Sequence, residues 1–244
     1  MGPQGVSRPA FYALESGGWR DYVTLLHLPY TAWHLSYVVI GAALASEFAG
    51  RRLLAALAAF FLAMGIGAHA LDEVTDRPLR TRISDRVLIA LAAVSIGAAV
   101  VIGVAASLAW TLWLLPFVAV GGFLVVAYNL ELFGGLFHNY LWFGLAWGAF
   151  PLLTAYLVTA EELTVEALLA ALFALLTSFV QRTLSTPVRL VRRRVLEVTG
   201  TMAMTDGTRE EITPDTVMGA PETALRLLAA AMVSLAAALL VLRF

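Results

Sequence analysis

Val87-Leu-Ile-Ala-Leu-Ala-Ala-Val-Ser-Ile-Gly-Ala-Ala-Val100 carries no charge, and the run continues uncharged to position 106. At a rise of 1.5 Å per residue such a run covers the ~30 Å hydrocarbon core of a bilayer, so it reads as a membrane-spanning helix. Six further runs of similar length flank it, giving seven candidate spans at about 30–48, 52–71, 87–106, 110–130, 137–158, 164–182 and 223–242. The chain has 244 residues, of which 60% are hydrophobic and only 14% charged. A water-soluble domain of that size needs more polar surface. The expected fold is all-α: one integral membrane domain over residues 1–244, a polytopic helical bundle with about seven transmembrane helices.

Cysteine is absent and all 16 cationic side chains are arginine. Disulfides, thiolate nucleophiles, cysteine-held metals, Schiff-base lysines and a lysine-dependent phosphate loop are therefore excluded. Residues 1–26 lack the basic start, apolar core and small-residue cleavage site of a secretory signal. With seven spans, 13 of the 16 arginines fall on the side of the N-terminus. The positive-inside rule makes that side cytoplasmic in the cell membrane. The expected partners are the membrane and a lipid or isoprenoid substrate, with no nucleic acid.

Residues 183–222 read as a cytoplasmic loop. Its Val188-Arg-Leu-Val-Arg-Arg-Arg segment is patterned as a basic amphipathic helix on anionic lipid or as a plain topology signal. Its Asp206-Gly207 turn signal sits between partly alternating flanks and predicts a small hairpin or a loop.

His69-Ala-Leu-Asp-Glu-Val-Thr-Asp76 closes the second span. If the helix continues, His69, Asp72, Glu73 and Asp76 share a face. Ionisable groups at membrane depth are costly and mark functional sites. The same level collects His34 from span one, Asn129 and Glu131 at the end of span four, His138 and Asn139 at the start of span five, and Gln181 and Arg182 at the end of span six.

Three readings compete. Asp72 and Asp76 can hold Mg²⁺ together with a diphosphate, while Arg77, Arg80 and Arg182, with Asn129, bind the remaining phosphate oxygens. His34, His69, Asp72, Glu131 and His138 can instead form a site for Fe or Zn. Or Asp72, Glu73, Asp76 and Asp85 simply neutralise Arg77, Arg80, Arg82 and Arg86 one for one in a loop.

Asp72 and Asp76, spaced by four at the end of span two, together with the Arg77-Pro78-Leu79 that follows and the Leu28-Pro29-Tyr30 entry to span one, resemble the UbiA superfamily of intramembrane prenyltransferases. The likeness covers roughly residues 25–160. It implies a UbiA-like helical bundle with a cytoplasm-facing cavity, Mg²⁺ and a prenyl diphosphate donor. Ala68 stands where the family's first motif has asparagine, and Phe179-Val-Gln-Arg-Thr-Leu-Ser-Thr-Pro187 has no carboxylate where the second motif is expected. The resemblance implies metal-assisted transfer or cleavage of a prenyl diphosphate or related lipid, with Asp72, Asp76 and His69 as the catalytic group. The alternatives are a His/carboxylate metalloenzyme and a non-enzymatic lipid or small-molecule carrier or assembly protein.

Overall fold

The structure, a computed structural model, describes residues 8–244; the first seven residues of the expected domain lie outside the described residues. It is helical almost throughout. A short α1 (Trp19–Leu25) precedes α2 (Leu28–Leu44), α3 (Gly50–Asp76), α4 (Asp85–Ala109), α5 (Leu114–Asn129), α6 (Tyr140–Ala160), α7 (Val165–Arg194) and α8 (Pro214–Val241). Each of the seven predicted segments overlaps one of the helices α2 to α8. Five of them, α3, α4, α6, α7 and α8, are long and apolar enough to cross a membrane, whereas α2 and α5 have 17 and 16 residues. The outward faces are apolar: Ile89, Val94, Val101 and Leu108 on α4 and Leu168, Leu169, Leu172 and Leu176 on α7 are all exposed. Contiguous apolar surface of that extent belongs against lipid, and the molecule is read as an integral membrane protein.

Trp33 and Tyr37 of α2, both fully buried, sit at the centre of the largest apolar cluster, with Leu152 of α6, Ala174 of α7 and Met232 of α8. The Trp33 indole donates to the Tyr37 hydroxyl at 2.6 Å, and that hydroxyl also meets Thr177 at 2.8 Å and Ser178 at 3.2 Å. Polar ties of this kind join helices where lipid gives no hydrophobic drive to association. Two glycines permit backbone contact. A Cβ on Gly41 of α2 would strike the Leu152 carbonyl of α6, and one on Gly148 of α6 would lie 2.6 Å from the Ala174 carbonyl of α7.

Two helices widen locally to π geometry, α3 over Phe61–Ala68 and α6 over Leu145–Ala149. α7 continues past position 182, through Pro187, to Arg194. The basic segment is therefore the C-terminal extension of that helix, and the connection to α8 is shorter than 183–222. Within it Thr201–Ala203 and Arg209–Glu211 pair antiparallel around Asp206-Gly207, the predicted hairpin, with every strand residue exposed. Two serine-like bonds from Thr208, its amide and its hydroxyl, hold the Asp206 carboxyl below the usual carboxylate range. Glu222, which pairs with Arg226 four residues on, is buried and also takes two bonds from Arg192 at 2.9 and 2.6 Å, which pins α7 to α8.

Gly41→Val should destabilise the bundle by about 1–3 kcal/mol, the usual range for overpacking. Thermal unfolding in detergent should show a clear drop in midpoint, while Gly97→Val, with open space around that position, should leave it unchanged.

Candidate functional site

The last two turns of α3 separate roles that the sequence left together. Along 3.6-residue turns, positions 69, 72, 73 and 76 fall within one arc of about 100°, with 72 and 73 at its two edges. Glu73 turns to the loop at its edge of that arc. It is fully buried and accepts the backbone amides of Leu79 at 2.9 Å and Thr81 at 2.8 Å. Asp21 of α1 takes the Arg82 amide at 3.0 Å. Residues 77–84 are thus fastened at both ends, with Arg77 and Arg80 in left-handed backbone conformations at φ 49° and 56°. The expected one-for-one charge pairing is not what forms. Among the described residues only Arg77 and Asp85 of that set make a salt bridge, and Asp72 and Asp76 make none.

Asp72 lies where two cavities meet. The inner chamber, of about 190 Å³, is lined by Tyr12, His27, Tyr30, His34, His69, Asp72, Tyr128, Asn129, His138, Gln181, Arg182, Arg189 and Arg193. The outer vestibule, of about 540 Å³, is lined by Asp72, Asp76, Arg77, Arg80, Asn129, Glu131, His138, Arg189, Arg193 and Arg194. The N-terminal ends of α2 and α6 and the C-terminal ends of α3, α5 and α7 therefore deliver their polar residues to one end of the bundle. All four histidines of the chain line the chamber.

Three of those histidines are held in the same way. Nδ1–H donates to a backbone carbonyl in each: His34 to Trp147 at 2.7 Å, His69 to Gly65 at 3.1 Å and His138 to Tyr128 at 3.0 Å. A carbonyl only accepts, so Nδ1 carries the proton and Nε2 keeps a bare lone pair. Trp147 and Gly65 belong to the two π segments, and the amide of His69 bonds to Ile66 rather than to Gly65. The fourth ring, His27, stacks on His69 with centroids 4.0 Å apart and planes 16° from parallel. Burial, aided by His69, holds His27 well below the ordinary imidazole value, so it is neutral. Burial likewise pushes the Tyr12 hydroxyl up, leaving a phenol that can donate. The Nε2 of His27 and the Oε1 of Gln181 are buried with no partner among the described residues.

Among the permanently charged side chains of the lining, arginine outnumbers carboxylate. Three guanidiniums face one carboxylate in the chamber, and five face three in the vestibule. Such a lining suits an anion. Among the described residues no three His, Asp or Glu side chains stand together so as to hold a metal ion. The set His34, His69, Asp72, Glu131 and His138 is spread over both cavities, with Glu131 exposed and 3.6 Å from His138. Asp72 and Asp76, one turn apart, fit the other mode, in which Mg²⁺ takes one or two carboxylates and completes its shell with water and phosphate oxygens.

An apolar groove of about 100 Å³ runs between α3, α4, α5 and α6, lined by Ala55, Ala59, Phe60, Ile96, Phe117, Gly121, Phe150 and their neighbours. It shares Met64 and Trp147 with the chamber. Of the span-five aromatics expected along a lipid tunnel, Trp147 lines groove and chamber and Phe143 the chamber, whereas Trp142 packs on Phe137.

The remaining predicted contacts divide. Arg77 donates to the Ile83 carbonyl at 2.6 Å and Arg80 to the Arg193 carbonyl at 3.3 Å, so both serve the loop while edging the vestibule. Arg182 donates to the Tyr128 hydroxyl at 2.6 Å and sits over the Phe143 ring. Asn129 is buried, its amide bound to the Val125 carbonyl at 2.6 Å. The sequence reading gave Arg189 and Arg193 to the membrane surface or to a topology signal, and it did not place Tyr12, Tyr30 or His27 in the site. The spacing of seven and then four residues between Arg182, Arg189 and Arg193 along a continuing helix was the available signal.

Glu73→Ala should strand two buried amides, at a cost of about 1–3 kcal/mol each. Asp76→Ala, at an exposed position, should shift the unfolding midpoint far less. Equal effects would contradict the structural role given to Glu73. Searches of protein-family models, curated proteins and solved structures found no match to this chain.

Proposed function

We propose that this protein is a UbiA-like integral membrane enzyme of seven spans, with its N-terminus in the cytoplasm, acting on a prenyl diphosphate or a closely related lipid. The observation that carries the reading is the continuity at Met64 and Trp147 between an arginine-rich polar cavity and an apolar groove. An amphiphile with an anionic head and an apolar chain matches both parts at once. The head enters the vestibule, where Arg189 and Arg193 neutralise phosphate oxygens and Arg182 reaches from the chamber wall. The chain follows the groove, where Phe60, Phe117 and Phe150 exclude water.

Asp72 and Asp76 would hold Mg²⁺, which when bound supplies charge neutralisation to a diphosphate leaving group. The chain's own contribution is positional. Glu73 and Asp21 fix the loop after the two aspartates, so their carboxylates and the arginines keep a set geometry around the head. The carrier reading lacks a feature of comparable weight, because a carrier has no need of two unpaired carboxylates beside an anion site.

Purified protein should bind farnesyl diphosphate in the presence of Mg²⁺ and lose most of that binding in EDTA. Asp72→Asn should weaken Mg²⁺-dependent binding at least tenfold, about 1.4 kcal/mol, and Arg189→Gln should weaken it with or without the metal. Affinity that is unchanged by EDTA and by Asp72→Asn, or that is equal for farnesol, would remove the proposal.

A further inference from the structure

The apolar groove ends at a tryptophan. Trp110, the residue after α4, lines the groove on one side. On the other it lines a polar cup of about 530 Å³ at the far end of the bundle, formed with Glu47, Arg51, Arg52 and Glu161. Among the described residues Trp110 is the one the two spaces share. The groove closes onto a buried cluster in front of it: Ala106, Leu114 and Val158 pack together, with Ala56, Trp110 and Phe117 against them. α4 and α5 meet at the same level, since a Cβ on Gly103 would lie 2.6 Å from Val118. A chain that follows the groove away from Met64 therefore runs up to the Trp110 indole.

That indole is held in place. Its backbone amide donates to the Ala106 carbonyl at 2.9 Å, and the Arg52 guanidinium lies over the ring, 5.6 Å from its centroid. Arg52 is itself fastened three times. It donates to the Val158 and Thr159 carbonyls at 3.0 and 3.1 Å, in the last turn of α6, and to the Glu161 carboxylate at 2.6 Å. A cation suits the open carbonyls of a helix C-terminus and the face of an indole. These contacts give a purpose to an arginine on the arginine-poor side of the bundle.

We propose, resting on the prenyl diphosphate reading, that Trp110 sets the longest chain this protein takes, and that Arg52 is the positioning residue that keeps the indole across the end of the groove. The length follows from helix geometry. From Asp72, beside the head, to Ala56, against the Trp110 cluster, α3 runs 16 residues, or about 24 Å. A diphosphate head takes about 5 Å of that span, and each extended isoprene unit, four bonds long, takes about 5 Å more. The remainder holds about three to four units, a farnesyl or geranylgeranyl chain. Prenyl chains differ in length and not in polarity, so a uniformly apolar groove with a fixed floor reads length. A much longer chain meets the indole before its head reaches Asp72. Without the indole, that chain would pass into the cup beyond.

The test uses the full chain in lipid nanodiscs with Mg²⁺ and radiolabelled farnesyl diphosphate, competed by unlabelled geranyl, geranylgeranyl and solanesyl diphosphates. Solanesyl is more than twice as long as geranylgeranyl, and comparing variants in the same nanodiscs cancels the partition of each chain into lipid. In wild type, geranylgeranyl diphosphate should compete at least about tenfold better than solanesyl diphosphate, the scale on which an apolar pocket sorts by size. Trp110→Ala should abolish that difference while its affinity for farnesyl diphosphate stays within about threefold of wild type. Trp110→Phe should keep the wild-type order. Arg52→Gln should shift the order in the direction of Trp110→Ala, and Arg52→Lys, which leaves a cation at the ring, should bring it back. Ala59→Phe, which fills the groove one turn short of its end, should make geranyl diphosphate a better ligand than geranylgeranyl diphosphate. A wild type that takes solanesyl as well as geranylgeranyl diphosphate overturns this proposal alone, as does a Trp110→Ala protein with intact farnesyl diphosphate affinity and the wild-type order. Should Trp110→Ala fail to fold, an unchanged order in both Arg52→Gln and Ala59→Phe overturns it as well. A wild type that binds none of the four diphosphates overturns this proposal and the function it rests on together.

Discussion

Most of the outer surface of the bundle is apolar, and in a bilayer each inward-facing polar group must find its partner within the chain. That constraint shapes the site more than any single contact does. Glu73 meets it by closing on the amides of Leu79 and Thr81, which fixes the loop after α3. His34, His69 and His138 meet it by giving Nδ1–H to helix carbonyls, which fixes their tautomer. The groups left over line the two adjoining cavities. They are the carboxylates of Asp72 and Asp76, the guanidiniums of Arg189 and Arg193, and the bare imidazole nitrogens.

The two π segments connect this local chemistry to the fold. Each supplies the carbonyl that holds a chamber histidine, and each carries a residue, Met64 or Trp147, that stands between the polar chamber and the apolar groove. A π turn accommodates one more residue than an α turn and often lies at a functional site. Here it lets α3 and α6 keep their packing along α2 while turning side chains toward the cavity. The close approaches at Gly41 and Gly148 bring α6 within backbone contact of α2 and α7, so the dimensions of the cavity depend on residues that do not line it.

The apolar runs located every long helix, because length and hydrophobicity are decided residue by residue and need no tertiary information. The convergence of His34, Asp72, Asn129, His138 and Arg182 was readable too, once helix direction alternated. The hairpin followed from Asp206-Gly207 alone. Other features had no local signature. Helical phase alone did not show that Glu73 would serve the backbone of its own loop while Asp72 remained unpaired. The arginines at 189 and 193 looked like a lipid-facing pattern, and only the continuation of α7 through Pro187 turned them into the cavity. The π widening depends on packing against neighbouring helices and left no mark in composition. The role of Arg192 as the partner of Glu222, thirty residues further on, required two helices to be set side by side.

The central claim is that one amphiphile occupies the arginine-rich cavity and the groove behind Met64 and Trp147 at the same time. Photolabelling with a prenyl diphosphate analogue that carries a diazirine at the far end of its chain tests this directly. The account predicts that chymotryptic peptides from α3 around Ala55–Phe60 and from α5 around Phe117–Gly121 take the label, and that unlabelled farnesyl diphosphate competes it away. Label confined to outward residues such as Val94 and Leu108, insensitive to that competitor, would contradict it.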